Sequence, residues 1–337
     1  MLTRFFQFPA AYTRTRSIKS LLLKNEDWQA LKHASDLTSA LNALLNTSYG
    51  ECFDFSSVQS DVLPPMRSVE HILRKSYITA AKKILRFLHG APKYFVVCFI
   101  QKYDLLNLKK TIRRLSQSAG VERGLKLKNY DLGRFSLLPN TDWDEIRDFK
   151  ELGRLLENTY YQYAFRRGYA QFSEINDFLL FESFLEKAYY DELINKSKGL
   201  GISHFLGSFF DEICLSSFLR YRFEFSMDAP AILPLLPIEG CFFFTEQVFW
   251  KVAEAEDADE VFEIFKKTIR KNAEINGENM QEAVDNIKEA RDEKCRKTFI
   301  KASPLSFSPI LSYCFMKERE VSELIRLLQK KRFGLEM

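Results

Sequence analysis

The sequence predicts an all-α protein in which one helical unit is used three times. Apolar residues recur with helical period between most breakers, and strand-like alternation is hard to find. Gly (13) and Pro (10) are too few in 337 residues for a loop-rich or all-β chain. The third observation is a period. LLNTSY (44–49) returns as LENTYY (156–161) and, eroded, as FKKT (265–268), while DLLNLKKTIRR (104–114) returns as DEICLSSFLRY (211–221) and EVSELIRLLQK (320–330). Thr47, Thr159 and Thr268 recur at intervals of ~110 residues, and so do Asp104, Asp211 and Glu320. Two separate markers report one period, so three lobes are expected at 1–130, 131–226 and 227–337.

The elements follow in order. Asp36 is the expected N-cap of a helix carrying Leu37, Leu41, Leu44 and Leu45 on its apolar side. DVLPPM (61–66), HGAPKY (89–94) and SAGVERG (118–124) punctuate the first lobe. SLLPNTDW (136–143) opens the second, and residues 141–165 read as a helix capped by Thr141 or Asp142. SKGLGIS (197–203) interrupts that lobe. MDAPAILPLLPIEG (227–240) opens the third. Asp257, with Glu260 three residues on, reads as a capping box for a helix with Val261, Phe265 and Ile269 on one stripe. NGEN (276–279) breaks the lobe, and a closing helix begins near Ser308-Pro309.

Composition narrows the function. The 31 Phe residues indicate thick aromatic packing. The six cysteines lie far apart with no CxxC spacing, as scattered thiols of a reducing compartment do. The longest apolar run, YFVVCFI (94–100), is far shorter than the ~20 residues a bilayer helix needs. No secretory h-region is visible, so a soluble chain is expected, whose association with a membrane would run through a partner. Residues 1–130 carry 21 Lys/Arg against 9 Asp/Glu, whereas the remainder is acidic. The asymmetry is compatible with a basic face toward an acidic partner or an anionic lipid surface, and equally with drift in the composition of solvated helix faces.

In DLLNLKKTIRR, Leu105, Leu108 and Ile112 share a face, with Asp104 and Asn107 early and Lys109, Lys110, Arg113 and Arg114 late, as the helix dipole favours. The Thr-x-Tyr ends (Thr47/Tyr49, Thr159/Tyr161) read as helix-end anchors. These motifs resemble the V-type ATPase central-stalk subunit family, called C in bacterial and archaeal enzymes and d in vacuolar ones. Asp104, Asn107, Leu108, Lys109 and Arg113 match its D-x-x-N-L-K-x-x-x-R pattern. Pro304, Leu305, Ser306, Pro309, Ile310, Leu311, Tyr313, Lys317, Glu318, Glu320, Val321 and Leu324 match its closing helix. YTRTRSIKSLLL (12–23), LLPN and LPLLPIEG add to the likeness, which covers the whole chain.

The resemblance implies a funnel of three helical lobes with pseudo-threefold symmetry, without catalysis or cofactor. It implies partners too: the central shaft subunits and the membrane proteolipid ring, with one copy per complex and only indirect membrane contact. The polar sides of the signature helices are the expected partner-facing or lobe-buttressing residues: Asp104, Asn107, Lys109, Lys110 and Arg113, then Asp211 and Arg220, then Glu320 and Arg326. Arg14, Arg16 and Lys19 are further candidates. Cys214 at the Asn107 position and Gln329 at the Arg113 position depart from the pattern, so the three copies are not expected to act identically.

Other classes lack their chemistry. A DDxxD cluster for diphosphate is missing, no HExxH or paired histidines could hold a metal, and neither a P-loop nor GxGxxG is present. No nucleic-acid-binding module accompanies the basic first third. An unrelated helical adaptor with the same repeats is the remaining alternative.

Overall fold

A computed structural model describes residues 8–53, 64–116, 128–175, 177–269 and 280–334. Within these residues the regular structure is helical, without strands. The helices, in chain order, are α1 (Phe8–Lys19), α2 (Asn25–His33), α3 (Leu37–Leu45), α4 (Met66–Leu85), α5 (Gly90–Ile100) and α6 (Lys102–Ser116). They continue with α7 (Phe149–Leu155), α8 (Gln162–Ile175), α9 (Phe178–Ser197) and α10 (Ser203–Leu219). The last four are α11 (Glu246–Ala253), α12 (Ala258–Ile269), α13 (Met280–Lys301) and α14 (Ser308–Phe333). The signatures at 104, 211 and 320 lie on α6, α10 and α14.

Caps repeat with the same period as the motifs. Asp36 Oδ1 accepts the Ser39 amide at 2.8 Å, Asp148 Oδ1 the Glu151 amide at 2.7 Å, and Asp257 Oδ1 the Glu260 amide at 2.8 Å. The three caps stand at one fixed distance ahead of Thr47, Thr159 and Thr268. A short side-chain acceptor satisfies an amide that the first helical turn leaves without a partner. The cap near 141 is displaced from the expected place. Arg114 Nη2 takes the carbonyls of Trp143 and Ile146 at 3.0 and 2.7 Å, so those carbonyls are committed outside a helix, and α7 begins only after Asp148. NGEN, SAGVERG and the Ile269 side chain lie outside the described residues.

The chain divides into two compact units: one of Met1–Tyr103, Ala119–Ser136 and Cys295–Met337, the other of Asp104–Ser118 and Leu137–Lys294. In the first, α4 packs against α1, α5 and α14, and α14 also meets α1 and α3. Phe99 meets Phe315 edge-on at 5.4 Å, and Phe95 meets Phe307 at 5.9 Å. In the second, α8 and α9 pack closely against each other. A Cβ on Gly168 would lie 2.3 Å from a Phe181 ring carbon, so only glycine lets these helices approach so closely. Further along, Arg291 of α13 pairs with Glu212 of α10 at 2.5 Å.

The register between copies is visible in the core. Helices α4 and α9 are equal in length, so Met66 aligns with Phe178 and Leu85 with Ser197. In that register Val69, Leu73 and Tyr77 correspond to Phe181, Leu185 and Tyr189, all six buried. Each compact unit therefore combines parts of more than one sequence repeat, with a signature helix folding against the copy that follows it.

Candidate functional site: the signature helices

The signature acids are buried, with Asp104 2%, Asp211 0% and Glu320 6% exposed. Each receives a backbone amide from the segment that opens another copy. Asp104 Oδ2 accepts from Leu137 at 2.8 Å. Asp211 Oδ1 accepts from Phe242, Phe243 and Phe244 at 3.1, 2.8 and 2.8 Å. Glu320 Oε2 accepts from Leu23 at 2.6 Å. The first copy thus holds the start of the second, the second the start of the third, and the third the start of the first. In sequence terms the bonds close a cycle.

The charge on these acids is handled differently. Burial pushes the Asp211 carboxyl up to about 6, against the three amides that favour its ionised form. Glu320 Oε1 meets Lys317 Nζ and Tyr49 Oη, both at 2.8 Å, and Lys317 Nζ also donates to Tyr49 Oη at 2.8 Å. Lys317 and Glu320 are each 6% exposed, so the pair neutralises two charges that neither could carry alone in the interior. Burial, reinforced by the Glu320 charge, raises the Tyr49 phenol and keeps it a donor.

A second tie runs from the residue nine positions after each acid. Arg113 Nε and Nη2 grip Glu182 at 2.5 and 2.7 Å, and Gln329 Nε2 donates to Glu70 at 2.6 Å. Glu70 and Glu182 are the fifth residues of α4 and α9 and correspond to each other. A neutral amide in the third copy therefore does the geometric work of the guanidinium in the first, with a weaker charge component. Arg220, at the same place in the second copy, lies 3.7 Å from Glu186 and over the Tyr221 ring. Lys109 also pairs with Glu186 and is 3.6 Å from Glu182.

The threonine anchors are the same in two copies. Thr47 Oγ1 donates to Leu44 O at 2.6 Å and accepts the Tyr49 amide at 3.2 Å; Thr159 Oγ1 donates to Leu156 O at 2.7 Å and accepts the Tyr161 amide at 3.2 Å. One hydroxyl thus closes the end of the preceding helix and starts the following turn. The side chain of Thr268 lies outside the described residues.

The structure separates the sequence candidates. Asp104, Asn107, Asp211 and Glu320 are interior, and Lys109 and Arg113 are held by carboxylates of α9. Lys110 and Arg14 are half-buried. On α1, Arg16 is exposed, donates to Tyr12 Oη at 2.8 Å and lies over the Phe299 ring, and Lys19 sits 4.8 Å above the same ring. Arg326 is exposed and has no ion pair among the described residues. Sequence reasoning missed Leu23, Tyr49, Glu70 and Glu182 as members of this network. For Glu70 and Glu182, the equal spacing to the threonine anchors was a readable signal.

The family described as ATP synthase (C/AC39) subunit matches residues 11–337. The chain belongs to this family. It is 25% identical over 339 residues to the C subunit of the A-type ATP synthase of Archaeoglobus fulgidus, covering 96% of this chain and 91% of that protein. It is 23% identical over 341 residues to the C subunit of the A-type ATP synthase of Methanosarcina acetivorans, covering 96% and 89%. In this family member, no described helix is long and apolar enough to cross a membrane.

Proposed function

We propose that this chain is a non-catalytic central-stalk subunit of a rotary ATPase or ATP synthase, linking the shaft to the proteolipid ring and passing torque between them. The observation that carries this reading is the cyclic set of acid-to-amide ties within a member of an ATP synthase subunit family. Three copies that hold one another in order are suited to surround an axis, as a funnel of three lobes on the cytoplasmic mouth of a ring. Torque transmission requires stiffness. Close-packed aromatic helices supply it, because protein interiors yield little to strain, and buried ties add fixed geometry to that packing.

Grip on a partner falls to the basic candidates that are exposed or half-buried. Arg14, Arg16, Lys19, Lys110 and Arg326 are assigned that role. The buried acids hold the copies together, and Asn107 lies buried one turn after Asp104. Arg113, Arg220 and Lys109 orient the signature helices through Glu182 and Glu186. Charge complementarity at such a surface sets orientation and association rate more than affinity.

Affinity purification of the full chain from its own membranes tests the reading. Co-recovery of proteolipid ring and shaft subunits is expected. Recovery of a different set of partners, with neither ring nor shaft, overturns it.

A further inference from the structure

A cavity of about 620 Å³ opens in the first compact unit beside α4, a volume suited to one small ligand. One stripe of α4 lines it, with Arg67, Lys75 and Lys83 supplying cations and the His71 ring and the Ser76 and Thr79 hydroxyls in between. From Arg67 to Lys83 the stripe is about 24 Å long at 1.5 Å per residue. Buried Tyr49 and Lys317 also line it, and apolar wall is supplied by Ile18, Ile72 and Tyr313. Glu51 is the one carboxylate among the described lining residues. Arg67, Lys75 and Lys83 carry no ion pair among the described residues; Arg67 and Lys75 are exposed and Lys83 is half-buried, so cations outnumber the single Glu51 carboxylate along this lining.

The chain contains its own control for whether the fold requires this stripe. Helix α9 is the counterpart of α4 one repeat later, with matching core positions. There Leu179 stands for Arg67, Ser183 for His71, Lys187 for Lys75 and Asn195 for Lys83. The one cation that persists, Lys187, is neutralised by Asp191 at 2.5 Å; the matching residue in α4 is Thr79. The counterpart helix is thus built with an apolar and charge-balanced face, covered in part where buried Ser183 accepts from Tyr221 Oη at 2.7 Å. Folding does not need the cations of α4, and concentrating them around a cavity carries an electrostatic cost that a bound anion relieves.

We infer that this cavity binds a small phosphate-bearing polyanion, held by Arg67, Lys75 and Lys83 with the Ser76 and Thr79 hydroxyls as further donors. Several separated cations with hydroxyls between them suit a ligand carrying more than one phosphate group, and the apolar wall accommodates an organic portion. The phosphate can belong to a soluble compound or to a lipid headgroup. Such binding is a property of the chain alone and requires no place in a rotor.

The full chain is titrated with inorganic tripolyphosphate by calorimetry and thermal unfolding at physiological ionic strength. In parallel it is sedimented with phosphatidylcholine vesicles with and without a phosphoinositide. Arg67→Leu with Lys83→Asn, the residues α9 carries, should raise the unliganded unfolding temperature slightly or leave it in place, and weaken binding at least about tenfold. Lys301→Asn, on an exposed lysine outside the cavity lining, should not. Lys75→Gln provides a second, milder variant. Saturable tripolyphosphate binding without vesicle association assigns a soluble ligand. Phosphoinositide-dependent sedimentation that the cavity variants abolish assigns a headgroup. Absence of both forms of binding, or equal weakening by Lys301→Asn, overturns the site.

Discussion

Lys102 and Glu318 occupy the same position in two copies of one signature, two places ahead of the acid, and they pair with each other. Phe99 and Phe315, five places ahead of their acids, meet in the same way. Equivalent residues touch when two copies pack about a common local axis. Identical copies would place like charges together at such a point. Divergence between the first and third signatures is therefore demanded wherever they meet, and Glu318 opposite Lys102 is one result.

Reversing one member of this pair should destabilise the chain, and exchanging both should restore it. Lys102→Glu is expected to cost on the order of 2 kcal/mol, since the pair is only partly shielded from solvent. Lys102→Glu with Glu318→Lys should recover more than half of that in chemical unfolding. A double variant no more stable than the single one would show that the pair contributes little.

Asp211 gives a pH dependence with a definite sign. Its folded carboxyl titrates near 6, above the unfolded value near 4, so the folded state binds the proton more tightly. Stability then falls as pH rises from about 4 to about 6 and no longer changes through this group above that window, with a slope of up to about 1.4 kcal/mol per unit. Asp211→Asn should remove this slope when urea unfolding is followed across pH. Asp211→Ala should cost more than Asp211→Asn, because it strands the amides of Phe242, Phe243 and Phe244 at once.

The two threonine anchors should be energetically matched. Thr47→Val and Thr159→Val keep the side-chain shape and lose the same two hydrogen bonds, for about 1 kcal/mol each. A large difference between them in thermal unfolding would mean that the repeated geometry hides unequal loads.

Partner contact should separate from stability. Arg326→Glu changes an exposed residue without an ion pair among the described residues and should move unfolding by no more than about 0.5 kcal/mol, and Arg16→Glu, which also gives up its contacts to Tyr12 and Phe299, by about 1 kcal/mol. Co-purification of shaft or ring subunits should weaken in a salt-dependent manner. Loss of stability with retained partners would return these residues to a structural role.

Much of the architecture is legible in sequence because its signals are local or periodic. Asp36 and Asp257 cap where the local pattern places them, and Ser308-Pro309 starts the closing helix. The N-cap expected near 141 is absent because Arg114, 29 residues before Trp143, claims carbonyls that a helix would have used. The tie of Glu320 to Leu23 is invisible for a related reason. A backbone amide leaves no side-chain signature, and its acceptor is 297 residues away. The signature polar residues stand out in the sequence by their recurrence. Their burial does not, since a charged residue in an amphipathic helix reads as surface until its partner is known.

The bond between Glu320 and Leu23 also constrains how the chain can be made. During synthesis the opening segment is available long before α14 exists, so its acceptor arrives last. Until then Tyr49 and Leu23 lack the carboxylate that satisfies them in the finished fold. The second unit draws on no residue beyond Lys294 and can consolidate earlier. Loss of the final helix would therefore leave its mark at the opposite end of the sequence, with α1 and α3 the first elements to lose protection in hydrogen exchange.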